Sequence, residues 1–111
     1  LIACAWRSDK PNAPLKVAVF PFAGGAPTKV FAAQTNGWLR WTNDGRAVLY
    51  SAIEKDVNNI WMQPLDGGPA APLTKFTEGA IAGFDISPDG KKIICSRRLS
   101  DYFLALIKDS Q

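Results

Sequence analysis

The chain has 111 residues, of which 47% are apolar and 21% charged, a balance that fits one small packed domain and excludes a disordered one. Its net charge of +3 comes from 13 basic and 10 acidic residues scattered singly; the longest basic runs are Lys91-Lys92 and Arg97-Arg98, which excludes a nucleic-acid-binding stripe. No apolar run approaches the ~18 residues of a bilayer-spanning helix, so no direct membrane insertion is expected.

In chain order, Leu1-Ile2-Ala3-Cys4-Ala5 reads as a short strand with Trp6 at its end. Lys16-Val17-Ala18-Val19-Phe20 reads as the next strand. It runs into Pro21 and the turn Ala23-Gly24-Gly25, and Val30-Phe31 follows in another strand. Trp38 precedes the strand Leu39-Arg40-Trp41, and Asn43-Asp44-Gly45 forms a tight turn into Val48-Leu49-Tyr50. Asn59-Ile60-Trp61-Met62-Gln63 is the following strand, ending at Pro64, with Asp66-Gly67-Gly68 as its turn and Leu73-Thr74 in the strand beyond. Phe84-Asp85-Ile86, the turn Pro88-Asp89-Gly90, Ile93-Ile94-Cys95 with Arg97 and Arg98, and Asp101 to Asp109 complete the series. Short apolar runs rich in β-formers suit strands buried on both faces, and no helix of useful length is expected. A Pro late in a strand donates nothing to a ladder, so the strand ends at Pro21 and Pro64 are expected to be unpaired or bulged.

The elements repeat. Leu39 to Ser51 aligns with Phe84 to Ser96 without a gap at an offset of 45, superposing Asp44-Gly45 on Asp89-Gly90. Leu1 to Ala5 falls on Ala47 to Ser51 at an offset of 46, and Lys16 to Gly25 falls on Asn59 to Gly68 at an offset of 43. The first copy then supplies the second, third and fourth strands of a unit, the middle copy all four and the last copy the first three. The expected fold is all-β: a β-propeller fragment of about two and a half four-stranded antiparallel blades, with an incomplete blade over 1–35, a full one over 36–79 and an incomplete one over 80–111.

Phe84-Asp85-Ile86-Ser87-Pro88-Asp89-Gly90-Lys91-Lys92-Ile93 resembles the core of the WD40-like PD40 repeat of TolB-type propellers, and Asn59 to Thr74 resembles that repeat's second half. Trp41-Thr42-Asn43 departs from the pattern, which has Ser-Pro before Asp44. The order of segments also resembles the C-terminal propeller of bacterial multidomain Ser/Thr kinases or winged-helix regulators. That resemblance implies a module outside the cytoplasm; the residues themselves say nothing of compartment. The start at Leu1 without Met reads as an engineered or processed boundary, so a missing signal peptide carries no information.

Closed propellers have 4 to 8 blades, so two and a half blades are expected to complete a ring, either with preceding chain or by association of copies into a homo-oligomer. An open arc would otherwise expose bare sheet faces and edges.

Chemistry is sparse. The sequence has no His, which removes Ser-His and Cys-His nucleophile systems and the commonest metal ligand. Cys4 and Cys95 occupy the same repeat position two blades apart, too far for a disulfide, and read as small buried hydrophobes. Asp44 and Asp89 are equivalent turn residues that cap backbone N–H groups, and the Gly24-Gly25 and Gly67-Gly68 pairs serve hairpins, not a phosphate loop. Trp41 and Trp61, at the places of Ile86 and Phe103, are expected in the core between blades. Trp6 and Trp38 break the repeat pattern in size, and with Arg40, Arg97 and Arg98 they form the candidate binding face. No catalytic residue, cofactor or metal site is expected. The expected function is a non-catalytic binding or scaffolding propeller, the C-terminal sensory or protein-interaction part of a larger bacterial regulatory protein. The alternative is an accessory propeller gating a peptidase or hydrolase whose catalytic domain lies elsewhere.

Overall fold

A computed structural model describes residues 1–99 and, as backbone, the strand over 102–109. It is all-β, with no helix among the described residues. Ten strands follow in chain order: β1 Ile2–Trp6, β2 Lys16–Phe20, β3 Lys29–Gln34, β4 Leu39–Trp41, β5 Ala47–Glu54, β6 Val57–Pro64, β7 Ala71–Pro72, β8 Ala80–Ile86, β9 Lys92–Leu99 and β10 Tyr102–Asp109. They pair only with sequence neighbours, always antiparallel, into three sheets: β1-β2-β3, β4-β5-β6-β7 and β8-β9-β10.

The sheets stack in chain order, and the central one is buried on both faces. Val48 and Tyr50 point one way and meet Val17 with Ala3 and Phe31 of the first sheet. Leu49 and Ile60 point the other way and meet Ile81, Phe84, Ile93 and Cys95 of the third. Successive side chains on a strand alternate faces, so a run such as Val48-Leu49-Tyr50 has to be apolar throughout when sheets lie on both sides. That requirement produced the continuous apolar runs legible in the sequence. Trp41 and Trp61 pack into the layer between the first and second sheets. The side chain of Phe103, and the whole of Asp101, lie outside the described residues.

The two Asp-Gly turns have the same internal wiring. The Asp44 carboxylate accepts from the Thr42 hydroxyl at 2.7 Å and the Arg46 N–H at 3.0 Å. The Asp89 carboxylate accepts from the Ser87 hydroxyl at 2.6 Å and the Lys91 N–H at 2.9 Å. Gly45 and Gly90 stand at φ 71° and 75°, in the left-handed region, each donating its N–H to the carbonyl three residues back. Thr42 thus does in the middle copy what Ser87 does in the last. Asn43, in the place of Pro88, uses the side chain that Pro lacks: its amide donates to the Ser87 and Pro88 carbonyls at 3.0 and 2.9 Å, tying one turn to the next.

Two local expectations are corrected. The β5–β6 ladder runs unbroken to Ala47 opposite Pro64, because that pair lies between hydrogen-bonded rungs and no N–H is asked of the proline; Leu65 then donates to Arg46 at 2.9 Å. Pro21 lies just beyond the end of β2. The fourth strand of the central sheet is only Ala71–Pro72, and Leu73-Thr74 follow it while still bonded to β6. Leu73 donates to the Ile60 carbonyl at 2.8 Å, and the Ile60 N–H donates to the Thr74 hydroxyl at 2.9 Å. Because a side chain replaces the backbone acceptor, the ladder ends early.

Candidate binding face

The stack has two ends. One carries the Asp-Gly and Gly-Gly turns, where strands one and two, and three and four, of each unit are joined. The other carries the far ends of the second strands, at Trp6, Ala52 and Arg97, together with Trp38 before β4.

The five residues of the candidate face are not gathered at one spot. Trp38 is 42% exposed, and its carbonyl accepts from the Ser51 N–H at 2.9 Å, which fixes its backbone to β5. Trp6 is half-buried and lines a cavity of about 370 Å³ under the β1–β2 loop with Lys10 and Lys16. Arg40 is exposed midway along β4, and its guanidinium lies 3.7 Å from the Asp85 carboxylate of β8, an exposed pair worth at most about 1 kcal/mol. Arg98 is exposed on β9. Arg97 is 7% exposed. Its guanidinium lies 3.6 Å from the centre of the Phe76 ring and donates to the Glu78 carbonyl, beneath the segment joining β7 to β8. Arg97 therefore does not stand at a solvated strand end; it fastens that connection to β9.

The sequence reading missed a polar network at this same end. Asn58, 3% exposed, accepts from the Ile81 N–H at 2.9 Å through its side-chain oxygen and donates to the Ala52 carbonyl at 3.1 Å, joining the second sheet to the third. Ser51, fully buried, donates to Asn36 at 2.5 Å, and Thr35 donates to the Ser51 carbonyl at 2.8 Å. Asn59 accepts from Thr74 and from the Phe76 N–H at 2.8 and 2.7 Å. Buried polar groups must find partners: Asn58 joins the second sheet to the third, Thr35 and Asn36 fasten the β3–β4 connection to β5, and Asn59 fastens the segment after β7 to β6. The adjacent Asn58-Asn59 inside an apolar strand was the one signal that could have revealed them.

At the turn end, both aspartates titrate below the ordinary carboxylate range. For Asp44 the leading cause is the hydrogen bond from the Arg46 N–H, followed by the Thr42 hydroxyl; for Asp89 it is the Ser87 hydroxyl, followed by the Lys91 N–H. In each turn one carboxylate oxygen, Oδ1, takes both hydrogen bonds. Both aspartates also rim a cavity of about 340 Å³ floored by Leu49, Met62 and Ile86. Cys4 and Cys95 are free thiols, Cys4 pushed up by burial. Among the described residues no three His, Cys, Asp or Glu side chains stand close enough to hold a metal ion.

No family model matches the sequence. Over 77 residues the chain is 32% identical to the uncharacterized protein Atu1656 of Agrobacterium fabrum (strain C58), a stretch that makes up 69% of this chain and 26% of that protein. The chain thus spans about a quarter of the length of the curated relative it matches.

Proposed function

We propose that the three stacked sheets are an arc of a β-propeller, and that the completed ring is a non-catalytic binding or scaffolding module of a larger bacterial regulatory protein. The observation that carries this reading is a difference in exposure at equivalent repeat positions. Val48 and Leu49 of the central sheet are 0% and 2% exposed, each covered by a neighbouring sheet. Ile2, the counterpart of Val48, is 44% exposed on the uncovered face of the first sheet; Ile94, the counterpart of Leu49, is 44% exposed on the uncovered face of the third. Pairing places Ile2, Cys4, Phe20 and Val30 around the buried Ala18 on that first face, with Ile2 and Val30 44% and 42% exposed, an apolar surface of the kind that sheet stacking buries. Further repeats of a longer chain, or a second copy of these 111 residues, would supply the missing sheets.

The PD40-like repeat pattern supports the same architecture, and a match confined to part of a longer relative supports a module within a larger protein. When the chain stands alone, copies join head to tail: the first-sheet face of one packs on the third-sheet face of the next, bringing Ile2 and Ile94 into one interface. A charge swap tests this. Ile2→Lys and Ile94→Glu, each alone, place an unpaired charge in the interface and should reduce the particle to a monomer by sedimentation velocity. Combined in one chain they face each other and should restore association in part. Single variants that sediment like the unmodified chain would overturn the proposal.

A further inference from the structure

Between the outer parts of the first and second sheets opens a wedge-shaped cavity of about 600 Å³. Phe31 of β3 and Tyr50 and Trp61 of the central sheet supply its aromatic walls, and Ala33 and Ala52 leave it open. The gap between the second and third sheets holds a smaller cavity of about 340 Å³, with Met62, Leu73 and Phe76 packed against the core there. Phe31 and Leu73 are equivalent, since Val30 lies opposite Ala18 as Pro72 lies opposite Trp61. At equivalent positions Phe31 therefore lines the larger opening and Leu73 the smaller one.

The polar groups of the wedge are few and unequal. Gln63 is satisfied within its own turn, its amide nitrogen donating to the Pro64 and Gly68 carbonyls at 3.0 and 2.9 Å. Tyr50 is 2% exposed and lines the wedge, yet its hydroxyl has no hydrogen-bond partner among the described residues. The open wedge leaves this hydroxyl within reach of water, so it stands as an available donor on an otherwise largely apolar wall. Burial pushes the Tyr50 phenol up to about 12, so at neutral pH it is a donor. Apart from it, Glu54 is the one ionisable side chain lining the wedge among the described residues, and an anionic ligand finds no cation there. A volume of several hundred Å³, mostly apolar walls and a few polar groups, the Tyr50 hydroxyl and the Gln34 amide among them, describe a small-molecule site.

We infer that this wedge binds a neutral, flat, apolar molecule that presents one acceptor oxygen, a ketone or ester carbonyl, to the Tyr50 hydroxyl while its rings lie against Phe31 and Trp61. Both sheets that form the wedge belong to one chain, so the site stands apart from ring closure and is testable whether or not copies associate.

The test uses two probes of equal size that differ in the carbonyl, 2-acetylnaphthalene and 2-ethylnaphthalene. Binding is followed by calorimetry and by the Trp61 indole N–H resonance in the intact 111-residue chain. Tyr50→Phe keeps the ring and removes the donor, and should weaken the acetyl probe about five- to tenfold while leaving the ethyl probe unchanged. Ala52→Leu narrows the wedge and should weaken both. Two results would overturn the inference: neither probe moves the Trp61 resonance up to its solubility limit, or Tyr50→Phe changes both probes alike.

Discussion

Replacing Asn58 by Ala should cost this small domain a large share of its stability, although the substitution removes no apolar surface. Asn58 is 3% exposed and serves two backbone groups at once, accepting from the Ile81 N–H at 2.9 Å and donating to the Ala52 carbonyl at 3.1 Å. Its contact with the Asn36 amide is long at 3.4 Å and adds little. A buried backbone group left without a partner costs about 1–3 kcal/mol. The Ile81 N–H is buried and loses its acceptor outright, whereas the Ala52 carbonyl is half-buried and recovers part of its bonding from water. The expected loss is therefore about 2–3 kcal/mol, set against total stabilities of roughly 5–15 kcal/mol for single domains. Urea unfolding followed by tryptophan fluorescence reads the loss, and amide hydrogen exchange should show Ile81 losing protection first. Asn36→Ala, which breaks the long contact and the Ser51 bond only, should cost less. A change below about 0.5 kcal/mol for Asn58→Ala, with Ile81 still protected, would refute the view that this side chain joins the two sheets.

Gly79→Ala should be far more damaging than Gly25→Ala. Both glycines hold positive φ, 88° and 99°, but a Cβ on Gly79 would stand 2.5 Å from a Leu99 methyl and 2.9 Å from the Arg98 carbonyl, whereas one on Gly25 would meet nothing within 4 Å. Thermal denaturation of the two variants side by side should show Gly25→Ala losing about 1 kcal/mol and Gly79→Ala several times that. Alkaline titration should expose Tyr50. Its folded-state value of about 12 lies above the ordinary 10, so the folded protein holds this proton more tightly; the contribution is complete below pH 10 and is lost as pH rises toward 12. Urea midpoints across that window should fall faster for the unmodified chain than for Tyr50→Phe, by at most about 2–3 kcal/mol, and parallel curves would contradict the burial argument.

The fold was legible because its punctuation and its periodicity agree. Asp44-Gly45 and Asp89-Gly90 demand tight turns, and the apolar runs after them demand neighbours on both faces; together they required short antiparallel strands in repeating units, and ten strands in three sheets are present. The end of the fourth strand was not legible, because whether Thr74 bonds β6 through its backbone or its hydroxyl depends on where Asn59 points. Nor was the burial of Arg97. A cation at a strand end reads as solvated, and only the folded chain brings the Phe76 ring and the Glu78 carbonyl over it. The wedge escaped notice for a related reason. Small side chains such as Ala33 and Ala52 look like ordinary strand filler until opposing sheets show that nothing larger fills the gap between them.

The most direct test of the repeat-stacking account is the solution mass of the unmodified 111-residue chain, measured by light scattering across a concentration series. Covering the exposed Ile2 and Ile94 faces by copies predicts a closed particle of two or three chains of 12.1 kDa each, its mass independent of concentration above the point of assembly. A folded monomer of 12.1 kDa at every concentration would contradict ring closure by copies, and those two faces would then have to be stable in water uncovered.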